Sequence, residues 1–298
     1  MQTEEIEIKN LCPMIGMISA GKTSLLNVFY DIDYLEASPG IGTKFVTIIR
    51  YNPEVGSKPK FYHILLEPKG NDDYKYIKDI KTEIIGRDNI KEKVIKLNEE
   101  LKENDKPYTE IFYFLEVGTY NFEDKEYLKN YDLVDVPGVS EYRVNQNTTP
   151  KEVYQEFSKE TITPRSINED SAAPEAFSIL DNKTIEEKMI TYKPEEEKTY
   201  LTQIFKIIKN KINNGIIVFN IENYQLVDNY RIIGKLQKVI NKPIENFLLL
   251  LNKIDKSQDR IYDINTLGCK IVEYFPNAET FNFTKNTIVA CSAIQLNN

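Results

Sequence analysis

The sequence predicts an α/β fold, with a mostly parallel central sheet of about eight strands flanked by helices on both faces. Three observations lead there. Short apolar runs alternate with stretches of helical periodicity along most of the 298 residues. A glycine-rich loop lies between the first apolar run and the first helical stretch, and several later runs end in polar motifs. In open α/β sheets ligands collect at that end of the strands.

The runs of strand length are 11–17, 45–51, 60–66, 110–117, 131–136, 215–221, 246–251 and 287–291. They are short, rich in β-branched and aromatic residues, and bounded by Gly, Pro, Asn or Asp. Helices are predicted over 22–30, 74–85, 89–102, 199–213 and 224–240. In the fourth of these, Leu201, Ile204, Phe205, Ile208 and Ile212 recur at three- and four-residue spacing before Gly215, which places one apolar stripe on the sheet. Segment 140–198 fits neither template. It is rich in Ser, Thr, Asn and Glu, is interrupted by Pro150, Pro164, Pro174 and Pro194, and holds 13 acidic against 8 basic residues. It reads as an insertion, either a plain surface loop or a partner-binding or regulatory segment.

Composition excludes several functions. The net charge of -8 lacks the basic clustering of a nucleic-acid footprint. No apolar run approaches the 18 residues of a membrane span, and the first ten residues carry Glu4, Glu5 and Glu7 rather than a signal or transit profile, so a cytoplasmic location is expected. Cys12, Cys269 and Cys291 share no metal-ligand spacing and His63 is the only histidine, which removes zinc and Cys/His catalysis. The cysteines read as buried thiols.

The chemistry is carried by motifs in a fixed order. Gly16-Met17-Ile18-Ser19-Ala20-Gly21-Lys22-Thr23 matches G-x-x-x-x-G-K-[ST] between a strand and a helix that opens with Ser24-Leu25-Leu26-Asn27. Backbone N–H groups of Gly16, Ser19, Ala20, Gly21 and Ser24 can converge on phosphates there, at the positive end of a helix dipole. Lys22 is placed to bridge β- and γ-phosphates, and the Thr23 hydroxyl to ligate Mg²⁺. Asp135-Val136-Pro137-Gly138 closes another apolar run. By itself this is an ordinary turn; downstream of a P-loop, Asp135 reads as a Mg²⁺ carboxylate acting through water and Gly138 as a backbone sensor of the γ-phosphate.

Asn252-Lys253-Ile254-Asp255 follows the most apolar run of the chain. Asp255 can accept from the two adjacent N–H groups of guanine, which adenine does not offer, so the motif selects GTP over ATP. Lys253 would lie over the base, Asn252 would tie this loop to the P-loop, and Ser292-Ala293 would reach the guanine carbonyl. Thr43, 21 residues after Lys22 in the loop Ser38-Pro39-Gly40-Ile41-Gly42, is the candidate switch threonine, a second Mg²⁺ hydroxyl when the γ-phosphate is present. Thr47 is its neighbour and competitor, disfavoured because it falls inside a predicted strand. Together these motifs define a P-loop G domain that binds GTP and GDP with Mg²⁺.

The chain resembles the dynamin superfamily from about Leu11 to Ala293, apart from the insertion. The resemblance rests on Ser19-x-Gly21-Lys22-Thr23-Ser24 followed by Leu25-Leu26-Asn27, on Gly40-Ile41-x-Thr43, and on the 92 residues separating Thr43 from Asp135, far more than small GTPases have. It implies that residues 1–298 are one dynamin-type GTPase domain, a fragment of a longer protein, with 140–198 inserted in it. It also implies GTP hydrolysis to GDP and phosphate, GTP-dependent homodimerisation across the nucleotide face, and membrane remodelling through helical parts outside this sequence, which would make the full-length protein peripheral to a membrane. Ser19, Lys22, Thr43 and Gly138 are the catalytic residues that it suggests.

Two positions depart from the usual helpers of hydrolysis. Val139 follows Gly138 where Ras-like enzymes carry glutamine, and Ile18 stands where dynamin-like proteins have a polar side chain before the serine. Water placement then falls to the Thr43 carbonyl and the Ser19 region, with a monovalent cation as the family uses. Slow basal turnover stimulated by self-association is the expectation. The alternatives are a nucleotide-dependent switch or scaffold with little hydrolysis, and a septin-like or immunity-related GTPase.

Overall fold

The structure is a computed structural model and describes residues 4–35, 43–70, 73–102, 111–118, 128–138, 200–220, 246–253 and 288–290. Within them the chain forms β1 (Glu4–Ile6), β2 (Asn10–Ile15), α1 (Lys22–Tyr30), β3 (Val46–Tyr51), β4 (Lys60–Gly70), β5 (Asp73–Lys78), β6 (Ile84–Ile85), α2 (Arg87–Lys102), β7 (Phe112–Val117), β8 (Tyr131–Asp135), α3 (Tyr200–Ile208), β9 (Asn214–Asn220), β10 (Asn246–Asn252) and β11 (Ile288–Ala290). The strands form one sheet in the order β1-β5-β4-β7-β3-β8-β2-β9-β10-β11, with β6 beside β4. The predicted helix 224–240 and the insertion 140–198 lie outside the described residues.

Strand alternation builds the two layers. Leu11 and Ile15 of β2, Val46 and Ile48 of β3, and Ile217 and Phe219 of β9 enter one buried cluster with Ile204, Phe205 and Ile208 of α3. Their neighbours Cys12, Met14, Ile49, Ile216 and Val218 enter a second cluster with Leu25, Leu26 and Tyr30 of α1 and Ile90, Val94, Leu97 and Leu101 of α2. Period-two side chains on strands and three-to-four spacing on helices thus give an apolar layer, with its helices, on each face. Burial holds the Cys12 thiol well above its ordinary range, to about 12.

The sheet differs from the expectation in size and polarity. Among the described residues it has eleven strands rather than about eight, and β4 pairs antiparallel with β5, β6 and β7, β1 with β5, and β3 with β8. Parallel pairing holds from β8 through β2, β9 and β10 to β11, and between β3 and β7. The sheet is therefore mixed, with its parallel half under the motifs.

Segment 74–85 corrects the helix predicted there. It forms β5, a short 3-10 turn over Ile80–Thr82, and β6. Gly70 at φ 93 ends β4 and lies opposite Asp73, so a hairpin brings Tyr76 opposite Leu66 and Ile77 opposite Leu65. That pairing buries Tyr76 and Ile77 more fully than a surface helix would, and tertiary pairing overrides a weak helical pattern.

Beneath β8, Arg50 donates to both Asp132 oxygens (Nε to Oδ1 2.8 Å, Nη2 to Oδ2 2.6 Å) and to the Glu7 carbonyl at 2.7 Å. The Lys9 N–H donates to Asp132 Oδ2 at 3.0 Å. A buried ion pair with its remaining oxygen lone pairs used in this way fastens the N-terminal segment to the sheet.

Candidate functional site

The P-loop is shaped by backbone conformations that its residue types permit. Gly21 has φ 89 at the N-terminal end of α1, and Ser19 also adopts a left-handed conformation at φ 63. A Cβ on Gly21 would meet Asn252 Nδ2 at 2.2 Å, so glycine is required there on two counts. Gly16 lies against β9, where a Cβ would stand 2.3 Å from the Val218 carbonyl oxygen. The turn is closed by the Ala20 N–H donating to the Met17 carbonyl at 3.2 Å. Ser24 occupies the first turn of α1.

Lys22 is the first residue of α1 and is buried, with Nζ donating to the carbonyls of Gly16 (3.1 Å) and Met17 (3.2 Å). Burial lowers its pKa to about 8, against the opposing pull of the Asp135 carboxylate. Thr23, Thr43 and Asp135 converge. The Thr23 hydroxyl lies 2.9 Å from the Thr43 hydroxyl and donates to Asp135 Oδ2 at 2.9 Å, and Thr43 Oγ1 donates to the same oxygen at 3.2 Å. Asp135 ends β8 and is fully buried, which raises its pKa despite Lys22 and the two hydroxyls. Its Oδ1 is buried with no hydrogen-bond partner among the described residues. Thr47, the competing threonine, is buried within β3 opposite Asp135 in the ladder.

These groups fit Mg²⁺. Two hydroxyls and a carboxylate offer hard oxygen donors, and the orphaned Asp135 Oδ1 is an acceptor that burial alone leaves costly.

The Asn252-Lys253 pair, at the end of β10, sits on the P-loop. Asn252 Nδ2 donates to the Ala20 carbonyl at 2.9 Å, and Lys253, left-handed at φ 66, donates from Nζ to the Ser19 carbonyl at 2.7 Å. Parallel pairing of β9 and β10, with Asn252 opposite Asn220, sets this placement. Asp255, Ser292 and Ala293 lie outside the described residues, as does Val139. The structure thus brings Gly16, Ser19, Ala20, Gly21, Lys22, Thr23, Thr43, Asp135, Gly138, Asn252 and Lys253 to one end of the sheet.

Gly138 abuts Ile18. A Cβ on Gly138 would lie 2.8 Å from Ile18 Cα, and 2.9 Å from both its N and Cγ1. Ile18 is 37% exposed, an apolar side chain at the position where the dynamin resemblance leads one to expect a polar one. Sequence reading missed Asn98 of α2, whose Oδ1 accepts from the Lys44 N–H at 3.1 Å beside Thr43. The signal was present: Asn98 falls on the apolar stripe of Ile90, Val94, Leu97 and Leu101, where a polar residue calls for a partner.

A family model described as Dynamin family matches residues 13–229, which takes in the P-loop, Thr43 and the Asp135–Gly138 turn. No curated protein matches the chain. Among solved structures it is similar to a chain described as part of an oligomerised bacterial dynamin pair that provides a mechanism for long-range sensing and tethering of membranes. That match has a TM-score of 0.36 and 16% identity, over 95% of this chain and 30% of the other. The present chain spans less than a third of that protein's length, and so slight a likeness bears on neither fold nor site.

Proposed function

Because the chain belongs to the dynamin family, in which its matched residues form the GTPase domain, we propose that it binds Mg²⁺-GTP and hydrolyses it to GDP and phosphate, at a rate set by nucleotide-dependent dimerisation that serves membrane remodelling. The observation carrying this reading is the convergence of Thr23, Thr43 and Asp135 beside buried Lys22, with Asn252 and Lys253 bonded to the same loop. One end of that loop suits phosphates and the other a base.

In this reading Gly16, Ser19, Ala20, Gly21 and Ser24 cradle the phosphates with backbone N–H groups, and Lys22 leaves its two carbonyls for β- and γ-phosphate oxygens. Thr23, Thr43 and Asp135 would hold Mg²⁺, which when bound supplies charge neutralisation on the phosphate oxygens. The Gly138 N–H approaches the γ-phosphate, and the Thr43 carbonyl with the Ser19 region orients the attacking water. A monovalent cation beside Ser19 would assist. Asp255 reads the guanine edge, Lys253 covers its face, and Ser292 and Ala293 complete the base pocket.

Ile18 favours a second reading, a switch or scaffold that holds GTP and scarcely hydrolyses it, since its side chain stands against Gly138 and donates no hydrogen bond. Phosphate release per molecule, followed over a hundredfold range of protein concentration, separates the two. A rate that climbs with concentration supports the enzyme, and a negligible rate throughout supports the switch. Turnover that is fast and independent of concentration contradicts both. Among the described residues no helix is long and apolar enough to cross a membrane.

A further inference from the structure

Thr43 reaches Thr23 and Asp135 from residues without regular structure, and the question is what holds it there. On its C-terminal side Phe45 is buried edge-on against Tyr113 at 5.2 Å and Phe61 at 6.5 Å between ring centres, which anchors the start of β3. Between that anchor and Thr43 lies one residue, Lys44, whose N–H donates to Asn98 Oδ1 at 3.1 Å. Asn98 is 2% exposed, and α2 around it is docked on the sheet through Val94, Leu97 and Leu101. A rigid helix therefore offers one acceptor directly beside the switch threonine.

The same helix also touches the residues that follow α1, where Arg87 and Lys91 pair with Asp33. Those side chains are exposed, and such surface pairs contribute little to fixing a position. Asn98 differs, because its side chain is buried on an apolar stripe and the hydrogen bond it accepts has a defined geometry.

We propose that Asn98 is a positioning residue for the GTP state: its Oδ1, by holding the Lys44 peptide, sets the Thr43 hydroxyl where it can complete the Mg²⁺ site when a γ-phosphate is bound. This rests on the reading of the chain as a Mg²⁺-GTP-binding domain. In this role Asn98 acts through the Lys44 backbone rather than by contact with the nucleotide. In the proposed function Thr43 ligates Mg²⁺ only when the γ-phosphate is present, so the effect is confined to triphosphate states. A merely structural asparagine would alter diphosphate and triphosphate binding alike.

The test uses the full chain with fluorescent GDP and a fluorescent non-hydrolysable GTP analogue, both with Mg²⁺. Asn98→Leu keeps the volume and removes the acceptor, Asn98→Asp keeps the acceptor, and Asn98→Ala replaces the leucine variant should that one not fold. Loss of one hydrogen bond predicts a roughly three- to tenfold weaker Kd for the GTP analogue in Asn98→Leu, with GDP binding and the Asn98→Asp variant within about twofold of wild type. Equal weakening of both nucleotides, unchanged analogue binding, or no recovery in Asn98→Asp overturns the proposal. Wild-type protein that binds neither nucleotide overturns the functional reading as well, and is seen before any variant is made.

Discussion

Replacing Asp135 by Asn tests the metal site with little change of shape. Asp135 is fully buried, accepts from two hydroxyls through Oδ2, and has its Oδ1 without a partner among the described residues. Asparagine preserves one acceptor and puts an NH₂ donor where the second oxygen stood, which turns a cation ligand into a repulsive group. Losing a carboxylate that orients bound water around a metal costs about 10–100-fold in metal-dependent affinity, or roughly 1.4–2.7 kcal/mol. At nucleotide near a hundredfold above its Kd, binding stabilises by about 2.7 kcal/mol, roughly 4 °C for a domain of this size. About half or more of that shift should vanish in Asp135→Asn. The assay is thermal unfolding with and without GTP, in Mg²⁺ and in EDTA. The ligand-induced shift is read rather than the absolute Tm, because Asp135 and Lys22 compensate one another in the interior and removing one alters the ligand-free Tm by itself. A full-sized Mg²⁺-GTP shift in the variant, or an equal loss in EDTA, refutes the assignment.

Three further outcomes are expected. Gly138→Ala forces a methyl to within 3 Å of the Ile18 backbone and should cost about 1–3 kcal/mol in urea unfolding, together with most of the GTP hydrolysis. Asp132→Asn leaves the part-buried Arg50 without its counter-charge and should destabilise by about 1–3 kcal/mol without changing nucleotide affinity, since it lies at the far end of β8 from Asp135. His63 has its pKa lowered from 6.5, chiefly by burial and in spite of Asp79. The unfolded chain therefore takes up a proton that the folded one resists, stability falls as pH drops below about 6.5, and His63→Gln should flatten that part of a Tm-against-pH curve.

Local chemistry was legible in the sequence and long-range geometry was not. The P-loop and α1 could be read because glycine, lysine and threonine at that spacing have few alternatives, and α1 spans Lys22–Tyr30 as periodicity indicates. All eight predicted strands are present, most shifted by a residue or two at an end. Strand direction left no trace in apolar runs, so the antiparallel pairing of β3 with β8 and the hairpin of β4 with β5 were invisible. In 74–85, Tyr74, Ile77 and Ile80 recur every three residues as on a helix, while Tyr74, Tyr76 and Lys78 also alternate as on a strand; only the unpaired edge of β4 decides between them. At the site, motif order named Thr23, Thr43 and Asp135, yet the packing of Gly138 on Ile18 joins residues 120 positions apart and no spacing rule anticipates it.

The three-residue strand β1 has a consequence for any measurement of self-association. It lies along β5, the last full-length strand on that rim of the sheet, and Arg50 and Asp132 clamp the residues that follow it. Without Glu4–Ile6, the amides and carbonyls of Tyr76–Lys78 that face it would be offered to any passing strand, including the same one from a second molecule. Preparations trimmed or tagged so as to displace the first residues should stick together whether or not GTP is present. Keeping that rim sealed is what allows nucleotide-driven pairing to be told from adhesion.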